Sequence, residues 1–570
     1  MLIAIVTIGM AYSNIAGASD LAITIHRKFR NIVFLMIEDQ PHVQLWVHQT
    51  LLLTNYFDKM LGSTVQYDMS QFFHGTNIAL MHFSGYLKGT SEPAFMDERS
   101  GRHLRTEQQW KEWVVYETTK RTAFFAFICD TQHATLFRHS PILSAFEVRL
   151  ELPCTDACWE ASSADQFFQA WEAQTQLYGT RPAYEPRAAD DDRRPSVSTS
   201  ATTSAGSTGP PGGAIMMLGY PDPNPDKARP PFLHSLKRLI RPTSIHAKDP
   251  DFSQHSQFSC LILLHGLLSI CWDMQWRGLL DMGIVSKHRM TEFKSRLAAS
   301  FDNWKSYFDS QLRKSNLPSI TSVVTHNAPA DGAFMPAGHF MNNFKGNSPM
   351  LCSNWAMYQL GLIVLHVDTM NLRVNAGSPN VLGRKIRDVD REMCNRQVQA
   401  WARSEDGRLA TLYSVQFMIR MAENERLLDA AVHIPWCVYL TTLTIWSYEI
   451  CQGTNLVPPP GTTKRPADGT TNDSAFHDYR QLVTDRMRYK TDAGVNVPNA
   501  KTDAVTYLRL LNERLKSPAL EAQSDDGQRN MRKQMVVGLV AYSVSLLVPI
   551  KWGFVVRGCE VLANILKEYD

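Results

Sequence analysis

The sequence predicts an all-α fold: a large multi-helix array of about twenty helices with two disordered low-complexity insertions. Three observations predict it. Apolar residues recur at helical spacing through most of the 570 residues. Alternating polar and apolar runs, which half-buried strands require, are scarce. Two stretches rich in Ser, Thr, Gly and Pro interrupt the helical pattern and cannot bury enough apolar area to offset the entropy of ordering.

The chain opens on the apolar run MLIAIVTIGM. Ala16-Gly17-Ala18 has the small-residue look of a signal-peptidase site, but no Lys or Arg precedes the run, so the charged start of a secretory signal is missing. The apolar pattern continues through Leu21, Ile23, Ile25, Phe29 and Val33, and a buried first helix is expected. His42 to Leu61 follows, with Val43, Trp46, Leu51, Leu53 and Phe57 near helical spacing. Gln109 to Leu136 reads as one long amphipathic helix. Further helices are expected at Cys260 to Trp276, Met290 to Leu312, Leu351 to Val367, Leu409 to Met421 and Ile434 to Ile450. A last pair covers Met535 to Val548 and Ile550 to Lys567. No segment holds the ~18 uninterrupted apolar residues of a membrane span, so no membrane contact is expected.

This divides the chain into an N-terminal helical part (1–184), a linker (185–229), a helical region (230–452), a second linker (453–474) and C-terminal helices (475–570) packing on the same body. The first linker contains SVSTSATTSAGSTGPPGG and the second is centred on Pro458-Pro459-Pro460. The helical parts read as one body with two loops looped out.

Composition excludes several functions. A net charge of +3 lacks the basic excess of a chain that grips DNA with its bulk surface. The ten cysteines are spread singly, with no CxxC pair, so local spacing assembles no zinc site. Most sit in apolar runs, where Cys is a small buried hydrophobe, and a reducing compartment fits them. Asp190-Asp191-Asp192 suggests the magnesium-binding run of terpene cyclases, but Arg194 follows and the run lies in a linker. Neither GxSxG, HExxH nor GxxxxGK[ST] occurs. The sequon at Asn472 matters only to a secreted chain. His265, on an apolar helix, is expected to be a satisfied core histidine.

Two local constellations carry most information. Trp110, Trp113, Glu117, Arg121, Phe124 and Ile128 step by three and four along one helix stripe. Glu117 precedes Arg121 by one turn, the better orientation for contact. A ligand-binding acid is one reading; a paired charge that fixes helix register is the expected one, because a charge in an apolar stripe needs satisfied neighbours. The segment LPCTDACWEA forms the second: Pro153 ends one element, Asp156 or Thr155 caps the next, and Trp159 is expected to anchor a packed corner. Cys154 and Cys158, without further ligands nearby, make a poor zinc site. The 13 Trp and 23 Met suit a dense core or an adaptable pocket, with the core expected.

These residues resemble a family. Met1 to about Trp171 is similar to the fungal-specific transcription factor domain found downstream of two-Cys-two-His zinc fingers. LIAIVTIGMAYSN, QTLLLTNYFDKMLG, the Trp110 to Asp130 helix and the Pro153 to Trp159 corner occur in the family's order. LLHGLLSICWD, SNWAMYQLGLIVLH, NVLGRKI, QAWARS, PWCVYL and KWGFVVRGCEVL are similar to the helical region that follows. The resemblance implies a nuclear regulator of RNA polymerase II transcription without catalytic residues. The chain starts inside the first helix of the domain, so DNA contact and zinc are expected only through upstream fingers, and no metal or cofactor site is expected in this chain. Transcription machinery, co-regulators and self-association are the expected partners. A fingerless scaffold protein and an all-α enzyme with polar groups converging from facing helices stay open as alternatives.

Overall fold

The computed structural model describes residues 1–13, 15–38, 43–88, 107–179, 231–241, 256–276, 286–314, 349–451, 497–516 and 526–568. Both expected linkers lie outside these residues, as do 190–192 and 472. Eighteen α-helices occur among the described residues, and the only sheet among them is a two-stranded hairpin pairing Asn380–Val381 with Arg384–Lys385. The all-α expectation therefore holds.

The N-terminal helices are α1 (Leu2–Ala11), α2 (Ala18–Glu38), α3 (Leu45–Tyr56) and α4 (Thr64–Phe83). The expected helix from His42 to Leu61 changes geometry at Tyr56, where a π-turn (Phe57–Leu61) takes over and turns Asp58 and Lys59 inward. Ser63 then starts α4 with a capping box: its hydroxyl accepts from Gln66 N, and Gln66 returns the bond to Ser63 N.

The first helix corrects the expectation of burial. Only Ala4 and Thr7 of α1 are buried, whereas Leu2 is 73% exposed and Ile3, Ile5 and Val6 are about half exposed. The run is apolar on every side, and α2, α3 and the π-turn cover only part of it.

Helix α5 (Glu107–Phe137) is buried almost continuously from Thr119 to its end. A short α6 (Asp156–Trp159) and α7 (Ala164–Gly179) pack beside its first half. Then come α8 (Phe232–Ile240), α9 (Gln257–Trp276) and α10 (Lys287–Lys314). Beyond them lie α11 (Pro349–His366), α12 (Thr369–Asn375), α13 (Asp388–Ala402), α14 (Glu405–Glu423) and α15 (Ile434–Cys451). The C-terminal helices are α16 (Val497–Lys516), α17 (Asp526–Leu547) and α18 (Gly553–Glu568).

Helices α9, α11 and α15 are apolar all round, the pattern of a helix with neighbours on every side. They form the centre: α9 packs on α5, α8, α10 and α11, and α15 packs on α12, α13, α14, α17 and α18. By length and composition α9 is apolar enough to cross a membrane, yet most of it is buried among these neighbours. Distant parts of the chain are also joined by direct bonds. Trp436 of α15 donates to Leu136 O of α5 at 2.6 Å, and Gly553 N donates to Gly62 O at 2.9 Å. A Cβ on Gly553 would fall 2.6 Å from the Ser63 carbonyl carbon, so this approach requires glycine.

Candidate functional site

Helix α5 carries the first group of polar residues. Trp113, Glu117, Phe124 and Ile128 are buried, with Trp110 and Arg121 half-buried beside them. Glu117 is fully buried, and its carboxylate accepts from Arg121 Nε at 3.1 Å and Cys154 N at 2.9 Å, while Lys120 Nζ lies 2.8 Å away. Two cations and a backbone amide thus meet one buried acid, which is how such a charge is tolerated. The group ties α5 to the Leu152–Trp159 corner.

That corner departs from expectation in its anchor. Trp159 is 39% exposed, and Arg121 lies over its ring 4.1 Å from the centroid. Cys154 and Cys158 are the buried residues, packed with Trp113 and Phe167. The one-turn helix ends at Trp159 and projects its ring outward. Thr155 takes the N-cap position of α6, but its hydroxyl donates to Gln174 Oε1 at 2.9 Å instead of capping. Asp156 faces the Gln257 backbone N–H at the start of α9; burial pushes its carboxyl above the ordinary range, against that bond. The Pro153 carbonyl accepts from Ser259 Oγ at 3.4 Å. Further along α5, buried Asp130 accepts from the amides of Ile142 (2.9 Å) and Leu143 (2.7 Å) and pairs with His74 Nε2 at 2.8 Å. It holds the turn that follows α5.

Sequence reasoning missed the π-turn charges. Asp58, fully buried, meets His26 Nε2 at 2.8 Å and Arg30 Nη1 at 3.1 Å. Lys59, also buried, donates to His139 Nε2 at 2.9 Å and lies 4.4 Å from the Tyr67 ring centroid. Burial pushes the Lys59 ammonium down to about 7 and His139 down to about 2. Nothing local in FDKML distinguishes these two residues from a solvated pair. His265 is a core histidine, but only half satisfied: Nδ1 meets Leu261 O at 2.7 Å while Nε2 has no hydrogen-bond partner among the described residues, and burial lowers the ring to about 4, so it is neutral at pH 7. All ten cysteines are free and buried.

A cleft of about 250 Å³ opens where α9, α10, α11, α12, α13 and α14 converge. Trp276 and Trp401 are its aromatic walls. Asp406 takes His366 Nδ1 on Oδ1 and Lys294 Nζ on Oδ2, each at 2.7 Å. Burial raises the Asp406 carboxyl, but the His366 and Lys294 bonds outweigh it and leave it below its ordinary value. Asp368 accepts from Arg138 Nε at 3.2 Å and Met370 N at 3.0 Å, both on Oδ1. The Trp401 indole donates to His366 O at 2.8 Å. His366 and Asp368 close the segment LIVLHVD, but Lys294, Asp406 and Arg138 come from distant helices, so no spacing rule gathers them. The arrangement offers both charge signs and aromatic surface. Among the described residues, no group of three or more His, Cys, Asp or Glu side chains is placed to hold a metal ion.

Comparison with known proteins places this architecture. The chain is 27% identical over 467 residues to the nicotinate catabolism cluster-specific transcription factor of Emericella nidulans, covering 80% of this chain and 44% of that protein. It is 25% identical to zinc finger protein klf1 of Schizosaccharomyces pombe, covering 79% of this chain and 47% of that one. Zinc finger protein zas1 of the same organism is 23% identical, with 78% and 41% covered. The chain thus spans less than half the length of these curated relatives. No solved structure matches it. The family model described as the fungal specific transcription factor domain matches residues 1–306, more than half of the sequence, and the chain belongs to that family.

Proposed function

We propose that this chain is the regulatory and protein-contacting body of a nuclear regulator of RNA polymerase II transcription. In this reading DNA is bound through zinc fingers outside the 570 residues, and the helical body restrains or relays activity and contacts co-regulators or transcription machinery. The family match over residues 1–306 carries the reading. Two relatives named as zinc finger proteins support the finger-borne DNA contact, and a third named for a catabolism cluster supports regulation of a gene set. The polar cluster on α5 supports a non-catalytic body, since its buried acids, Glu117 and Asp130, are met by the chain's own basic side chains and backbone amides.

Fusing the chain to a heterologous DNA-binding module upstream of a reporter tests the proposal. A several-fold change in reporter output, in either direction, is expected. Output equal to that of the DNA-binding module alone, with the fusion present in the nucleus, overturns it.

A further inference from the structure

We propose that the cleft between Trp276 and Trp401 is a receptor site for a free α-amino acid with an aliphatic side chain. This deepens the regulatory reading by naming a ligand class.

Lys294 spends one N–H on Asp406, which leaves two of its three donors. Asp368 receives both Arg138 and Met370 on Oδ1, and its Oδ2 takes no hydrogen bond from the described residues. Both side chains retain solvent access and both line the cleft. A cationic donor and an anionic acceptor, each paired but with bonding capacity to spare, thus share one small site. A simple anion would meet Asp368 and Asp406; a simple cation would meet Lys294. A zwitterion satisfies both, its carboxylate on Lys294 and its ammonium on Asp368.

Size and lining select the side chain. About 250 Å³ lies below the ~300–1,000 Å³ of drug-sized pockets. That suits a molecule of leucine's size. Val364, Leu372 and Val398 are among the lining residues, so the cleft is backed by aliphatic side chains. The ligand would bridge α10 to the start of α12, and a ligand that binds only the folded chain stabilises it by mass action.

The test is isothermal titration of the purified chain with L-leucine, L-isoleucine, L-valine and L-methionine, alongside thermal unfolding. At least one is expected to bind saturably and to raise Tm by roughly 2–4 °C at a hundredfold excess over Kd. For leucine, 4-methylpentanoate lacks the ammonium and 3-methylbutylamine lacks the carboxylate; each should bind at least tenfold more weakly. Asp368→Asn keeps Oδ1 for Arg138 and Met370, so folding should persist while amino-acid affinity falls at least tenfold. Lys294→Gln should act likewise on the carboxylate. Absence of saturable binding by all four amino acids overturns the proposal, as do equal binding of the single-charge analogues or unchanged affinity in Asp368→Asn. These readouts need no DNA and no reporter, so this inference and the transcriptional reading fail separately.

Discussion

Arg138 stands on Trp276: its guanidinium carbon lies 3.2 Å from the indole centroid, and its Nε holds Asp368. Its backbone has φ +69°, the left-handed conformation that glycine usually supplies just after a helix. The arginine side chain links the end of α5 to the wall of the cleft.

A pair of substitutions separates these effects. Arg138→Ala should destabilise by about 2 kcal/mol through loss of the cation–π contact and the half-buried ion pair. Arg138→Gly loses the same contacts but relaxes the backbone, and should be about 1 kcal/mol more stable than the alanine variant. Urea unfolding midpoints give the order; an alanine variant at least as stable as the glycine one contradicts it.

Glu117 should be among the most sensitive positions of α5. Glu117→Ala leaves Lys120 and Arg121 without their buried acid and should cost about 3–5 kcal/mol. Glu117→Gln keeps an acceptor for the Cys154 amide and should cost clearly less. Chemical denaturation of both variants checks this, with near-wild-type stability for alanine as the contrary result.

Lys59 gives a pH signature. Its folded value of about 7 lies below the ordinary 10.5, because burial disfavours the ammonium. Below pH 7 both states hold the proton and the full cost of burying the charge is felt. As pH rises from 7 toward 10.5 only the unfolded chain keeps it, so this group adds stability, up to about 2 kcal/mol by pH 9. Buried thiols such as Cys129 and Cys437, pushed up by burial, act oppositely once the unfolded thiols ionise. The comparison is therefore with Lys59→Met, which should be more stable than wild type at pH 7, with the gap narrowing at pH 9. A gap that is constant across this range would count against the buried ammonium.

Trp436 tests the join between distant parts of the chain. It bonds Leu136 O and packs its ring on Phe137 and Phe554, at centroid distances of 5.3 and 5.6 Å. Trp436→Phe should cost about 1–3 kcal/mol for the unpaired carbonyl. Trp436→Ala should cost about 3–5 kcal/mol. Gly553→Ala should destabilise as well, through its clash at Ser63. Calorimetric unfolding of the three variants provides the check.

The helices and the α5 stripe were legible in the sequence because they are local: residues three and four apart must share a face, and Glu117 beside Arg121 announces a pair. Expected helix ends at Gln109, Cys260 and Ile434 fall within about three residues of those observed. The rest was not local. Trp159 and the first helix were misread for one reason: apolar character states what could be buried, and neighbours decide what is. The π-turn that carries Asp58 and Lys59 inward has no sequence period of its own. The cleft gathers Lys294, Asp368 and Asp406, with Arg138 holding Asp368 from behind, across more than two hundred and sixty residues of chain. Its geometry exists only once α5, α10, α12 and α14 have packed.

A protein that works in transcription must be found at the genes whose output it changes. Chromatin occupancy of the endogenously tagged protein, read together with transcript levels after its depletion, tests it most directly. The account predicts enrichment at discrete promoters whose transcripts change on depletion. A cytosolic protein without promoter enrichment, and an unchanged transcriptome, would contradict it.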